Sequence, residues 1–184
     1  MAGVRIGVDK LHYAICTDGD TETWGKPEAL KGVISVNINP NASQETLFAD
    51  DGPYETAATI GNIDVEINKA QLTLDERAVL LGHTKGADGT LVSKSTDVPP
   101  FVAIGFRTLK SNGHYRYVWL YKGKFQDLED QNETKGDSIN FQTDTIKGQF
   151  LQTNKSQAWK IEADEDDSDA ATIISTWFND VVEP

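Results

Sequence analysis

The chain has 184 residues, 38% of them hydrophobic, and its 29 acidic and 17 basic residues give a formal net charge of −12 at pH 7. This length predicts one domain over residues 1–184, which buries roughly 70% of the surface of the unfolded chain. The acidic balance argues against nucleic acid as a tightly held ligand, and the single cysteine, Cys16, excludes an intramolecular disulfide.

The first third of the chain contains three segments in which apolar and polar residues alternate, at residues 11–16, 33–39 and 60–68. Successive side chains of a strand point to opposite faces, so this pattern predicts antiparallel strands with one buried and one solvated face. In the third segment Asp64 and Glu66 lie on the solvated face.

About twenty residues separate the second and third of these strands, and we predict a long inter-strand loop at about 40–59. The loop carries three large apolar residues, Leu47, Phe48 and Tyr54. A solvated loop gains nothing from exposing such side chains. We therefore expect the loop either to fold back on its own domain or to dock on another chain.

Local signals in the middle of the chain predict one helix and two neighbouring strands. Thr73 and Glu76 form a capping box and Gly82 supplies a C-terminal stop, which predicts a helix of about nine residues. Residues 101–109 are apolar on both faces, as is typical of a central strand. A turn at residues 111–113 leads into the next strand.

That next strand carries an aromatic row on one face, formed by Tyr115, Tyr117, Trp119 and Tyr121. Packing under a helix explains the row as part of a core. Exposed rings would instead stack on sugars or bases. The second interpretation would make the protein a monomeric carbohydrate-binding or adhesin-type module, and both interpretations stay open.

The last third of the chain predicts strands at residues 139–153 and 159–161, followed by an acidic C-terminal segment at about 162–184. From Asp169 onward apolar residues recur at helical spacing, with acids at the start where the helix dipole favours them, which predicts a C-terminal helix. The predicted fold is mainly β: a β-sandwich or flattened barrel of about eight strands with a short flanking helix and a C-terminal helix.

Metal-binding signatures are absent or incomplete. Residues 18–22 begin like a calcium loop, but Thr23 and Ala29 stand where such a loop requires Gly and Glu. The three histidines are isolated in the sequence, and a surface position explains each of them. They are His12, His83 and His114.

Two acidic pairs, Asp50-Asp51 and Glu129-Asp130, could in principle serve as acid and base in a glycosidase. Adjacent residues on a strand point to opposite faces and those on a turn are solvated, so polar turns explain both pairs better. A hydrolase using Asp50 and Asp51 would need them in a cleft with a perturbed pKa. We predict no enzymatic activity, no metal and no cofactor.

The order and spacing of several segments resemble the major tail tube protein family of long, non-contractile phage tails. The resemblance extends along most of the chain, and its segments are specific together rather than singly. They are residues 7–14 (GVDKLHYA), 47–51 (LFADD), 80–83 (LLGH), 99–106 (PPFVAIGF) and 117–125 (YVWLYKGKF), with Gln142-Thr143 and the late tryptophans.

The resemblance implies a structural virion protein whose inner sheets join around a six-fold ring. Stacked rings would form the tail tube, the conduit for DNA ejection, through which DNA passes without specific binding. An acidic lumen would repel the DNA, and Asp64 and Glu66 are the candidate lumen-facing acids. The implied partners are further copies of the chain, a tape-measure protein, and tail-terminator and tail-tip proteins. Assembly is expected in the host bacterial cytoplasm, with no membrane anchor.

Within such a tube the predicted loop becomes an inter-subunit contact. Leu47, Phe48 and Tyr54 would be buried only on assembly. Asp50 and Asp51 would pair with basic residues across the junction.

Overall fold

The computed structural model describes residues 3–17, 22–130, 132–134 and 141–183. Within them the chain forms eleven strands, all paired antiparallel, and two short α-helices, so the predicted mainly β class is confirmed. The strands are β1 (Arg5–Thr17), β2 (Thr23–Trp24), β3 (Glu28–Ala29), β4 (Val33–Ala49), β5 (Gly52–Lys69), β6 (Thr84–Lys85), β7 (Leu91–Val92), β8 (Phe101–Lys110), β9 (Tyr115–Phe125), β10 (Asp144–Leu151) and β11 (Lys160–Asp164), and the helices are α1 (Leu74–Leu81) and α2 (Ala171–Ser175).

Nine of these strands form one sheet. Its order is β2, β1, β8, β9, β10, β5, β4, with β3 beside β1 and β11 beside β9, while β6 and β7 form a separate pair. The two end strands, β2 and β4, are not paired with each other in the described part of the chain. The sheet therefore curls without closing into a barrel.

The inner face of the sheet encloses the main hydrophobic core. Leu11 of β1 and Ile67 of β5 both pack in this core at 1% exposure, so opposite sides of the sheet share one interior. Leu80 and Leu81 of α1 enter the same core. Each side chain of this size contributes roughly 1.5–3 kcal/mol when it is fully buried.

The predicted helix α1 is confirmed, and its ends follow from local sequence. The backbone N–H of Glu76 donates to the Thr73 hydroxyl, and the Thr73 N–H donates to the Glu76 carboxylate. Gly82 ends the helix at φ 73°. A Cβ at this position would lie 2.5 Å from the carbonyl oxygen of Val98, so only glycine fits.

The outer face of β8 and β9 is covered by the C-terminal segment. The aromatic row of β9 lies beneath it: Tyr117 is 7% exposed, and Trp119 and Tyr121 are fully buried. Trp177 and Val181 pack over these rings. This second core explains why the row is aromatic, because large rings fill the space between a sheet and an irregular covering segment.

The C-terminal helix is shorter than predicted. A 3-10 turn over Ser168–Ala170 leads into α2, which ends at Ser175 and is followed by the C-cap residue Thr176 with φ −112°. Trp177 is buried, and the next residue, Phe178, stacks on His12 with ring centroids 4.3 Å apart. In a continuing helix the side chains of Trp177 and Phe178 would point about 100° apart. Both rings can pack against the sheet because the helix ends before them.

The loop predicted at about 40–59 is wrong. β4 and β5 continue as paired strands as far as Ala49 and Gly52. Asp50 (φ 50°) and Asp51 (φ 61°) form the two-residue turn, in the left-handed conformation that matches the twist of a hairpin. β4 continues through Pro40, because β4 is an edge strand with a register shift beside Pro40 and proline is tolerated at such positions.

Two strand boundaries near the C-terminus also differ from the prediction. The strand predicted at 139–153 is β10, which begins at Asp144. Residues 139 and 140 lie outside the described residues, and Phe141 is 91% exposed and outside any strand. The acidic C-terminal segment begins inside β11 rather than after it.

Candidate functional site

The β4–β5 hairpin extends beyond the sheet as an arm, which we define as residues 40–62. β10 pairs with β5 only from Ile63 to Lys69, so no third strand joins the arm within the described structure. The residues of the arm are exposed on both faces, apart from the half-buried Gly52. At roughly 3.3 Å per residue the arm reaches about 30 Å. A two-stranded hairpin is only marginally stable in water, which favours a covering surface.

Large apolar side chains lie on both faces of the arm near its turn. Leu47, Phe48 and Tyr54 are 60%, 69% and 73% exposed. Leu47 and Phe48 are adjacent on a strand and so point to opposite faces. Leu47 pairs with Glu55 and Phe48 with Pro53, which leaves Tyr54 as the extra residue of a bulge. The structure thus brings the five predicted contact residues together at one end of the arm.

The arm carries only negative charge. Its four acids are Glu45, Asp50, Asp51 and Glu55, and it contains no lysine or arginine. None of the four forms an ion pair among the described residues. A partner surface that covers the arm therefore has to supply cations or leave these acids in water.

Asp64 and Glu66 lie where β5 enters the body of the sheet, on the face turned away from the main core. Asp64 accepts hydrogen bonds from the side-chain amides of Asn41 (2.8 Å) and Gln149 (3.2 Å). Glu66 has Lys147 as its register partner on β10. The two acids are therefore set among amides and a lysine, and this face is polar rather than strongly acidic.

The aromatic row offers no open platform for a ligand. The Trp119 indole N–H donates to the carbonyl of Trp177 at 3.0 Å, and the Tyr117 hydroxyl donates to Glu165 at 3.0 Å. Burial raises the pKa values of Tyr117 and Tyr121, as expected for phenols removed from water. Ring stacking on a sugar would require the C-terminal segment to leave.

The two acidic pairs lie in different parts of the fold. Asp50 and Asp51 lie on the exposed turn of the arm. Asp130 accepts hydrogen bonds of 3.3 and 3.0 Å from the guanidinium of Arg77 and, together with Glu129, lines an open polar cavity of about 890 Å³.

The histidines are likewise spread over the fold. His83 contacts Asp97 at 2.9 Å, His114 contacts Asp166 at 2.6 Å, and His12 bonds the Lys10 carbonyl. Among the described residues no group of three potential metal ligands occurs. Asp18 and Asp20 of the incomplete calcium loop lie outside the described residues, whereas Glu22 is buried.

Comparison of the sequence with protein-family models and with curated proteins finds no match. Within the described part of the chain, no helix has the length and apolar character needed to cross a membrane.

The sequence singled out the five predicted contact residues, but it placed them on a loop, whereas the structure places them on a paired hairpin. The missed signal is the run Asp50-Asp51-Gly52, because Asp and Gly between two extended segments indicate a tight hairpin turn.

Proposed function

We propose that this chain is the self-assembling subunit of a phage tail tube, a virion protein whose copies form stacked rings, hexameric as in the family that it resembles. The exposed arm is the main observation that supports this proposal. It presents Leu47, Phe48 and Tyr54 to water on a ribbon that lacks a third strand. Each such side chain contributes about 1.5–3 kcal/mol when a partner buries it fully.

Unpaired strand edges also support assembly. In the described residues β4 pairs with β5 alone, and the Arg5–Asp9 part of β1 pairs with β8 alone. Exposed strand edges are templates for pairing with other chains, and a ring of identical subunits removes them from solvent. The arm would then connect one ring with the next.

The polar side chains on the outer face of the sheet are suited to the lining of a conduit for DNA. Asp64 and Glu66 share that face with amide side chains and Lys147. Amides and balanced charges bind phosphate weakly, and the net charge of −12 disfavours retention of DNA. We assign these two acids to the lumen, through which DNA would pass without specific binding.

The proposal includes the partners and the place of assembly of a tail tube. The partners are a tape-measure protein in the growing tube and terminator and tail-tip proteins at its ends. The place of assembly is the cytoplasm of the host bacterium. A carbohydrate-binding or adhesin module was the alternative. The aromatic row that motivated this alternative is buried and so does not support it.

Negative-stain microscopy of the purified protein, combined with analytical ultracentrifugation, tests the proposal. We expect rings or tubes from the wild-type chain. A matched variant replaces residues 41–62 by Asn-Gly, which joins the paired residues Pro40 and Ile63 through a two-residue turn. It should keep the thermal midpoint of the sheet and remain monomeric. A wild-type protein that stays monomeric at high concentration contradicts the proposed function.

A further inference from the structure

A cleft of about 500 Å³ lies between β1 and the start of β4, and we call it the β1–β4 cleft. Its interior is mainly apolar and includes Val8, Leu30 and Phe178. Lys10 and Lys31 also line it, and both are exposed. The lining of the cleft therefore combines apolar side chains with two exposed lysines.

The positive charge of these two lysines is not balanced by an ion pair within the described structure. Asp9 also lines the cleft, but the Arg107 guanidinium holds its carboxylate with hydrogen bonds of 2.7 and 2.9 Å. Neither Lys10 nor Lys31 forms an ion pair with a described residue. Lys10 lies at φ 50° beside a register shift of β1, a backbone arrangement that re-aims side chains.

The tip of the arm, which we define as residues 47–55, has the complementary pattern. Phe48 and Tyr54 supply exposed rings, and Asp50 and Asp51 supply two carboxylates beside them. An aromatic side chain buries about 150–250 Å² when it enters a pocket. Two carboxylates facing two ammonium groups also fix the orientation of docking.

The tip cannot reach the cleft of its own chain. Val33, the first residue of β4, lines the cleft, and Ala49, the last residue of the same strand, adjoins the turn. At about 3.3 Å per residue this continuous strand holds the tip roughly 50 Å from the cleft. An arm tip that fills this cleft would therefore have to belong to a second copy.

We propose that the tip of the arm of one copy inserts into the β1–β4 cleft of the next copy. The inference rests on the proposed function and names the receiving surface of the arm. Tip and cleft are different patches, so the contact is head-to-tail and repeats from copy to copy. Because β4 spans the distance between them, successive rings would be at most roughly 50 Å apart along the tube.

A cysteine pair tests the contact directly. Asp51→Cys and Lys31→Cys in one chain should form, on mild oxidation, a reducible ladder of dimers, trimers and longer species in denaturing gels. Within one chain these positions are too far apart to bridge. Cys16, the one native thiol, is buried, and each single variant controls for its reaction. A mixture of the two single variants should give dimers but no ladder.

Charge reversal provides a second, independent measurement. Lys10→Glu/Lys31→Glu should raise the protein concentration needed for assembly at least tenfold, and adding Asp50→Lys/Asp51→Lys should restore much of the loss. Lys26→Glu/Lys155→Glu makes the same change in net charge at two exposed positions outside the cleft and should assemble like wild type.

The outcomes separate the two proposals. Tubes that form without a cysteine ladder, or cleft charge-reversal variants that assemble at the wild-type concentration, overturn the cleft contact and leave the tail-tube function standing. A wild-type chain that never assembles overturns both.

Discussion

Gly105 of β8 is the register partner of Trp119 of β9, and the Trp119 ring occupies the space that a Cβ of residue 105 would need. A Cβ built at Gly105 would lie 2.7 Å from three atoms of the indole. Trp119 cannot retreat, because it is fully buried and its N–H is bonded to the carbonyl of Trp177. The glycine thus allows the central strands to hold a tryptophan between sheet and C-terminal segment.

We expect Gly105→Ala to lower the free energy of unfolding by about 1–3 kcal/mol, since the added methyl overpacks a rigid site. Gly7 of β1 is the matched control, because a Cβ there meets nothing within 4 Å. Gly7→Ala should change the stability by less than about 0.5 kcal/mol. Urea unfolding followed by circular dichroism measures both, and equal effects of the two variants would contradict the packing account.

A buried ion pair ties the start of β2 to β9. Glu22 and Lys122 are joined at 2.8 Å, with side chains 2% and 6% exposed. Glu22 also accepts the backbone N–H of Asn154 at 3.0 Å, so one carboxylate connects three segments of the chain. Removing one partner of a buried ion pair is strongly destabilising, because the other charge remains buried.

Glu22→Gln should therefore lower the free energy of unfolding by about 3–5 kcal/mol. The double variant Glu22→Gln/Lys122→Met should lose less than Glu22→Gln alone, because it also removes the buried ammonium group that the Glu22 carboxylate contacts. A double-mutant cycle in urea measures the coupling. Strictly additive losses would show that the two charges do not stabilise each other.

The parts of the fold that were predictable from sequence are those specified by local patterns. Helix α1 follows from Thr73, Glu76 and Gly82, whose roles require only neighbours along the chain. The strand containing Ile63 follows from strict alternation, because one of its faces is buried. In both cases the residues that determine the element lie within it or directly flank it.

The arm could not be found in this way. Both of its faces are solvated, so burial imposes no period of two on its residues, and Leu47 and Phe48 occur side by side. The β1–β4 cleft also could not be predicted from the sequence. It is formed by segments that only the curl of the sheet brings together, around Lys10 and Lys31.

Asp164 makes stability dependent on pH in the acidic range. Its burial alone would raise the pKa of the carboxyl, but hydrogen bonds from the buried Lys110 ammonium and from the Asp166 backbone N–H oppose this. With two further bonds from Arg116 (3.0 and 2.9 Å) they lower the pKa of Asp164 to about 2. The folded state therefore binds this proton more weakly than the unfolded state does.

The stabilisation from this carboxylate should be complete above about pH 4, near the ordinary aspartate pKa, and should be lost as the pH falls towards 2. We expect the free energy of unfolding to fall less steeply over this range in Asp164→Asn than in wild type. Asp51→Asn, at the exposed turn, should follow the wild-type slope. Urea titrations between pH 2 and 7 compare the three, and an unchanged slope in Asp164→Asn would refute the assignment.

A substitution in the arm should impair assembly without affecting folding. Phe48 is 69% exposed, so Phe48→Asp should leave the free energy of unfolding of the monomer within about 0.5 kcal/mol of wild type. It should nevertheless abolish rings and tubes, because the partner surface would have to bury a carboxylate. Phe48→Leu keeps an apolar side chain and should still assemble. Gln152→Asp adds the same charge at an exposed position outside the arm and should assemble like wild type. Sedimentation velocity and negative-stain microscopy provide the measurement, and normal tubes from Phe48→Asp would show that the arm does not make the contact.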